Sequence, residues 1–132
     1  MKKFSSASQQ IGELGEHIAC RYLYKHKFIV KERNYTKRCG EIDIIAQKGA
    51  ITHFIEVKSV SREMISAELS VSDDYQPEDQ MHPYKQARLK RTIEIYLNSH
   101  SVGEWQFDLV CVFIDDMGKK ALIKVMEDVI LA

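Results

Sequence analysis

The sequence predicts an α/β domain of the α+β-like kind, a mixed central β-sheet flanked by helices, with elements in the order α-β-β-β-α-β-β. Three observations lead there. Residues 40–58 alternate apolar and polar side chains at period two, the mark of strands with one face in a core. Two segments, about 6–25 and 84–99, repeat apolar residues at helical spacing. From Trp105 to Ile114 the chain is rich in β-formers and mostly apolar on both faces, as a central strand would be. A sheet with apolar faces needs cover, and helices on its flanks supply it.

Taken in order, residues 1–5 read as a loose tail, and Ser6 or Ser8 caps the first helix. Ile11, Leu14, Ile18, Ala19, Tyr22 and Leu23 form its buried stripe. Glu16 falls on the border of that stripe, and Glu13 turns further toward solvent. Gly12 and Gly15 lie on or beside the buried side, where a missing side chain lets a helix approach a sheet. Phe28-Ile29-Val30 begins a strand that continues to Tyr35, and Lys37 to Gly40 turn the chain. In the next strand Ile42, Ile44 and Ala46 alternate with Glu41, Asp43 and Gln47. After Lys48-Gly49, which suits a hairpin turn, Ile51, Ile55 and Val57 alternate with Thr52, Phe54, Glu56 and Lys58. Between Val60 and Met81 the pattern dissolves into serines and acids around Pro77, apart from room for a short helix near 63–69. This reads as a mobile loop over 60–81, of the kind that forms a lid or stays disordered. Pro83 opens a second helix, Tyr84 to Ser99, with Ala87, Leu89, Ile93, Tyr96 and Leu97 as its apolar positions. Asp108 is the one buried-looking charge of the strand that follows. Ala121 to Val125 forms a last strand, and Val129-Ile130-Leu131 should pack.

A chain of 132 residues fits a single domain spanning 1–132. Its longest apolar runs are too short to cross a bilayer, and its N-terminus lacks a signal-peptide core, so a cytoplasmic protein with no membrane partner is expected. Lys plus Arg and Asp plus Glu each total 19, which argues against coating nucleic acid through an overall field but leaves room for a local basic groove. Cys20, Cys39 and Cys111 are widely separated with no C-x-x-C, which points to reduced thiols rather than zinc. There is no H-x-x-x-H spacing, P-loop, G-x-G-x-x-G or serine-nucleophile motif.

The hairpin concentrates charge. If Lys48 and Gly49 alone form the loop, Asp43 faces Phe54; a four-residue loop puts it opposite Glu56. Both registers leave Asp43, Glu56 and Lys58 on one face. Two carboxylates on one face repel unless something positive lies between them. A divalent cation meets that need, and so does Lys58. Magnesium prefers carboxylate oxygens and water. The plainer alternative is a solvated polar face of an edge hairpin, and Glu56-Val57-Lys58 is too short to decide alone. Lys31, Arg33, Lys37 and Arg38 adjoin this face. Lys85, Arg88, Lys90 and Arg91 crowd the first half of the second helix. Each group is either simply solvated or a surface for a phosphate backbone.

Several pieces carry a resemblance when read in order: Gly12-x-x-Gly15-Glu16-x-x-Ala19, Arg33-Asn34-Tyr35, Gly40-Glu41-Ile42-Asp43-Ile44-Ile45-Ala46, Phe54-Ile55-Glu56-Val57-Lys58, Lys85-Gln86-Ala87-Arg88-Leu89 and Phe107-Asp108. Together they resemble the PD-(D/E)XK nuclease superfamily, and more closely the bacterial YraN family, related to archaeal Holliday junction resolvases. The resemblance covers nearly the whole chain from Ile11. It implies a restriction-endonuclease-like fold in which Mg2+ (or Mn2+) is held by Asp43, Glu56 and the backbone carbonyl of Val57. Lys58 would orient or activate the attacking water, and Glu16 would complete the site directly or through water. Arg38, Lys85, Arg88 and Arg91 would meet DNA. The implied activity is a magnesium-dependent endonuclease hydrolysing DNA phosphodiesters at branched or flapped structures, in a homodimer as resolvase-like proteins often form. The alternative is a catalytically silent module of the same fold that binds nucleic acid or protein; a purely structural hairpin without metal is a third. The chain departs from the family at Val60, where an arginine is usual and the nearest is Arg62, and again over residues 125–132.

Overall fold

The computed structural model describes residues 7–62, 81–115 and 120–131. Its elements follow the expected order: α1 (Ala7–Lys25), β1 (Ile29–Lys37), β2 (Gly40–Lys48), β3 (Ile51–Arg62), α2 (Pro83–Ser99), β4 (Trp105–Asp115) and β5 (Ala121–Met126). Among the described residues the sheet has five strands in the order β1-β2-β3-β4-β5. Neighbours run antiparallel except β3 and β4, which are parallel. A parallel pair needs a crossover, and α2 lies in that connection.

The alternation read from the sequence sorts side chains onto two faces. Phe54, Phe107 and Leu109 join Leu89, Ile93 and Tyr96 of α2 in one core. Ile55, Val110, Val112 and Ile114 join Ala19 and Leu23 of α1 in the other. This explains why β4 is apolar on both faces: each face meets its own helix. A second feature ties the chain's end to the sheet. Asp108 is buried, with His53 Nδ1 2.6 Å from its Oδ2. Its Oδ1 accepts the Gln106 amide at 2.8 Å and the Asp128 backbone N–H at 3.0 Å.

Several expectations need correction. Leu14 is 40% exposed, because the stripe centres on Gly15, Ala19 and Leu23, and Leu14 lies about 100° off that line. Gly15 does abut the sheet, where a Cβ would overlap the Ser59 hydroxyl, but Gly12 meets nothing. The β2–β3 turn is Gly49-Ala50 rather than Lys48-Gly49; Lys48 pairs with Ile51, and Gly49 takes the positive φ of 59°. Strand β3 runs to Arg62, into the segment expected as loop, because Val60, Ser61 and Arg62 find partners in Phe113, Ile114 and Asp115 of β4. The rest of that segment through residue 80, and the tail with Ser6, lie outside the described residues. Ala87 is exposed on α2. Val129 and Leu131 pack against the α2-side core, whereas Ile130 is exposed. Among the described residues no helix is long and apolar enough to cross a membrane.

Candidate functional site

The site begins where a ladder stops. Pairing between β2 and β3 runs from Lys48–Ile51 to Ile44–Ile55 and ends there. Two residues further along, the same register would set Ile42 opposite Val57. Instead the Val57 N–H donates to Asp43 Oδ2 at 2.8 Å. Strand β2 continues its pairing with β1 as far as Lys37–Gly40, while β3 continues with β4. The two strands therefore part, and the Asp43 carboxylate sits in the opening. The register that puts Asp43 opposite Glu56 is the one adopted.

An open cleft of about 530 Å³ lies over this divergence, walled by Glu41, Asp43 and Glu56 from the strands and by His82, Tyr84, Lys85 and Arg88 from α2 and its cap. Glu56 is 7% exposed. Burial, then the charge of Glu56 and a hydrogen bond with it, push the Asp43 carboxyl up to about 8; Glu16 adds to the rise and the Val57 amide opposes it. Such a pair lacks positive charge. Part of it comes from α2, where the Lys85 ammonium forms an ion pair with Glu56.

Glu16 approaches from α1 and is held in a small network. Its Oε1 lies 3.8 Å from Arg33 Nη2. The Asn34 amide, turned to satisfy both neighbours, donates to Glu16 at 3.2 Å and to Glu41 at 2.9 Å. Burial raises the Glu16 carboxyl above the usual range; Arg33 and Asn34 work against that, while Glu41 and Glu56 reinforce it. Asn34 takes a positive φ of 53°, which asparagine tolerates better than most residues.

The sequence-predicted residues thus divide. Asp43, Glu56, Val57, Lys85 and Arg88 come together. Glu16 is coupled to them but is not part of the cleft wall. Lys58 follows Glu56 on its strand face, exposed and without an ion pair among the described residues. Arg88 donates Nε to the Cys39 carbonyl at 2.8 Å, tying α2 to the β1–β2 turn. Arg38 and Arg91 are exposed and lie outside the wall. Among the described residues no three His, Cys, Asp or Glu side chains gather into a metal-holding group. Asp43, Glu56 and the Val57 backbone carbonyl are the groups there that could hold an ion. That suits magnesium, which keeps several waters and takes one or two carboxylates plus phosphate oxygens.

Sequence reasoning gave no role to Glu41, Asn34, His82 or Tyr84. Arg33-Asn34-Tyr35 carried a signal, an asparagine inside a strand, where that residue is normally depleted. Tyr84 carried a weaker one, an aromatic set directly after the proline that opens a basic helix.

Comparison with known proteins places these residues in a shared frame. The model of a family described as "Uncharacterised protein family UPF0102" matches residues 15–112. Glu16, Asp43, Glu56 and Lys58 all fall within that span. A UPF0102 protein of Campylobacter lari is 39% identical over 119 residues, covering 89% of this chain and 91% of its own. One from Campylobacter jejuni is 37% identical over 102 residues, covering 76% and 81%. One from Dictyoglomus thermophilum is 34% identical over 114 residues, covering 85% and 89%.

Proposed function

The chain belongs to the UPF0102 family, the YraN family of the resemblance drawn above, and on that premise we propose that it is a magnesium-dependent endonuclease hydrolysing DNA phosphodiesters at branched or flapped structures. The observation that carries this reading is the pair Asp43 and Glu56, sharing one cleft at a strand divergence with one carboxyl pushed far above its ordinary value. A fold that only needed stability would not keep two acids there. A cation-binding site would.

In this reading Asp43, Glu56 and the Val57 carbonyl would hold the ion. Bound there, magnesium would supply charge stabilisation at the scissile phosphate and lower the pKa of a water. The chain's own groups do the rest. The Val57 N–H holds Asp43 in place. Lys58, exposed and without an ion pair among the described residues, is available to the attacking water and to the negative charge that develops on phosphorus. Glu16 holds a water at the margin. Lys85, paired with Glu56 in the metal-free protein, would be free to meet the DNA backbone with Arg88 once an ion neutralised the carboxylates. Hydrolysis adds water across one P–O ester bond, leaving a phosphate monoester and a free hydroxyl.

A second reading, a silent binding module of the same fold, draws on the Lys85–Glu56 ion pair, which already offsets part of the charge. Calorimetry separates the two. Magnesium or manganese titrated into wild type should bind, and Glu56→Ala should abolish it. Equal binding by the variant overturns the nuclease reading, and wild type that binds metal yet cleaves no branched or flapped DNA favours the silent module.

A further inference from the structure

We propose that Tyr84, backed by His82, is a stacking platform for an unpaired base, so that the cleft selects DNA with a single-stranded nucleotide beside the scissile phosphate. The proposal rests on the reading of the cleft as a nuclease site.

Tyr84 is 78% exposed, so its ring serves no core. A single exposed aromatic needs no explanation by itself. This one, however, stands in the wall of the carboxylate cleft together with Asp43 and Glu56. The ring is also braced. The His82 imidazole lies parallel to it, at 5° between planes and 5.5 Å between centroids. His82 is itself fixed, because its Nδ1 accepts the backbone N–H of Tyr84 at 3.1 Å. Pro83, between them, limits the backbone. The two rings therefore present a preformed flat surface with little freedom to lose on binding.

The neighbours complete the case. Lys85 follows directly and Arg88 stands one helical turn on, both in the same wall. A base-sized π-face next to cations that meet phosphates is how single-stranded nucleic acid is held. In a duplex the base faces are already stacked on one another, and a ring approaching from the backbone side finds none free. Only an unpaired or splayed nucleotide can reach Tyr84. Among the described residues, the other large exposed aromatics, Tyr24 and Trp105, lie outside this cleft.

The test compares two DNAs of equal length with calcium in place of magnesium, so that binding is read without cleavage. One is a flapped duplex with 2-aminopurine at the first unpaired position; the other is a blunt duplex with 2-aminopurine paired. Wild type should quench the flap probe, and Tyr84→Phe should keep that quench. Tyr84→Ala should lose it and bind the flap roughly five- to a hundredfold more weakly, while its affinity for the blunt duplex moves by no more than about twofold. Equal weakening on both DNAs, or none on either, overturns the platform and leaves the metal reading of the cleft standing. If wild type binds neither DNA while still binding metal, both the platform and the nuclease reading fall.

Discussion

Replacing Asp43 with asparagine should stabilise the metal-free protein while ending its metal binding. The Asp43 carboxyl rises from its ordinary 3.8 to about 8 in the fold. Between those values the folded protein keeps a proton that the unfolded chain has released, so stability falls as pH rises through the window. The contribution is complete below about pH 4 and gone above about pH 8. At about 1.4 kcal/mol per pH unit, the ceiling is roughly 6 kcal/mol. Partial solvent access and relaxation reduce the expected gain of Asp43→Asn to about 1–3 kcal/mol. The substitution keeps the shape: Oδ1 still accepts the Val57 N–H, the amide donates to Glu56, and nothing titrates. The assay is urea unfolding without divalent ions at about pH 5, 7 and 9. The variant and wild type should be close at the lowest pH and diverge in the variant's favour as pH rises. Added magnesium should then stabilise wild type alone, because a ligand that binds only the folded state raises its stability. A variant that is less stable at the highest pH, or a gap that does not change with pH, would refute the reasoning.

Three further outcomes follow from other contacts. Lys85→Met removes the cation paired with Glu56, so the metal-free protein should lose about 1 kcal/mol near neutral pH and manganese should bind more tightly; calorimetry in which both stay unchanged contradicts this. Gly15→Ala should cost about 1–3 kcal/mol, since the new methyl would lie 2.8 Å from Ser59 Cβ, and the Gly15→Ala/Ser59→Gly pair should recover most of it; a neutral single variant denies the close contact. Asp108→Ala strips acceptors from His53, Gln106 and the Asp128 N–H, so a loss of about 3–5 kcal/mol in urea unfolding is expected, and a loss under about 1 kcal/mol would remove its role as a clasp.

The element order was legible because each signal was local. Period two in residues 40–58, helical spacing on either side and the long apolar run of β4 each needed only neighbours in sequence. The shared face of Asp43 and Glu56 was legible for the same reason, since two- and four-residue loops both preserve it, whereas a register shifted by one residue would split them. What escaped depended on packing across distance. Leu14 looks buried until Gly15 is seen pressed against Ser59. The end of β3 could not be read from its own polar residues, because β4 supplies their partners. The Lys85–Glu56 ion pair joins two elements through the crossover, and no spacing rule relates them. Asn34 was visible only as part of a motif; its bridge between Glu16 and Glu41 depends on a left-handed backbone that the sequence permits but does not dictate.

Crystals soaked in manganese and measured for anomalous scattering offer the most direct test of whether Asp43 and Glu56 gather one hard cation. A single peak between the two carboxylates, beside the Val57 carbonyl and with Lys85 drawn away from Glu56, is the expected result. An empty divergence at saturating manganese, with the Lys85 ammonium still on Glu56, would contradict it.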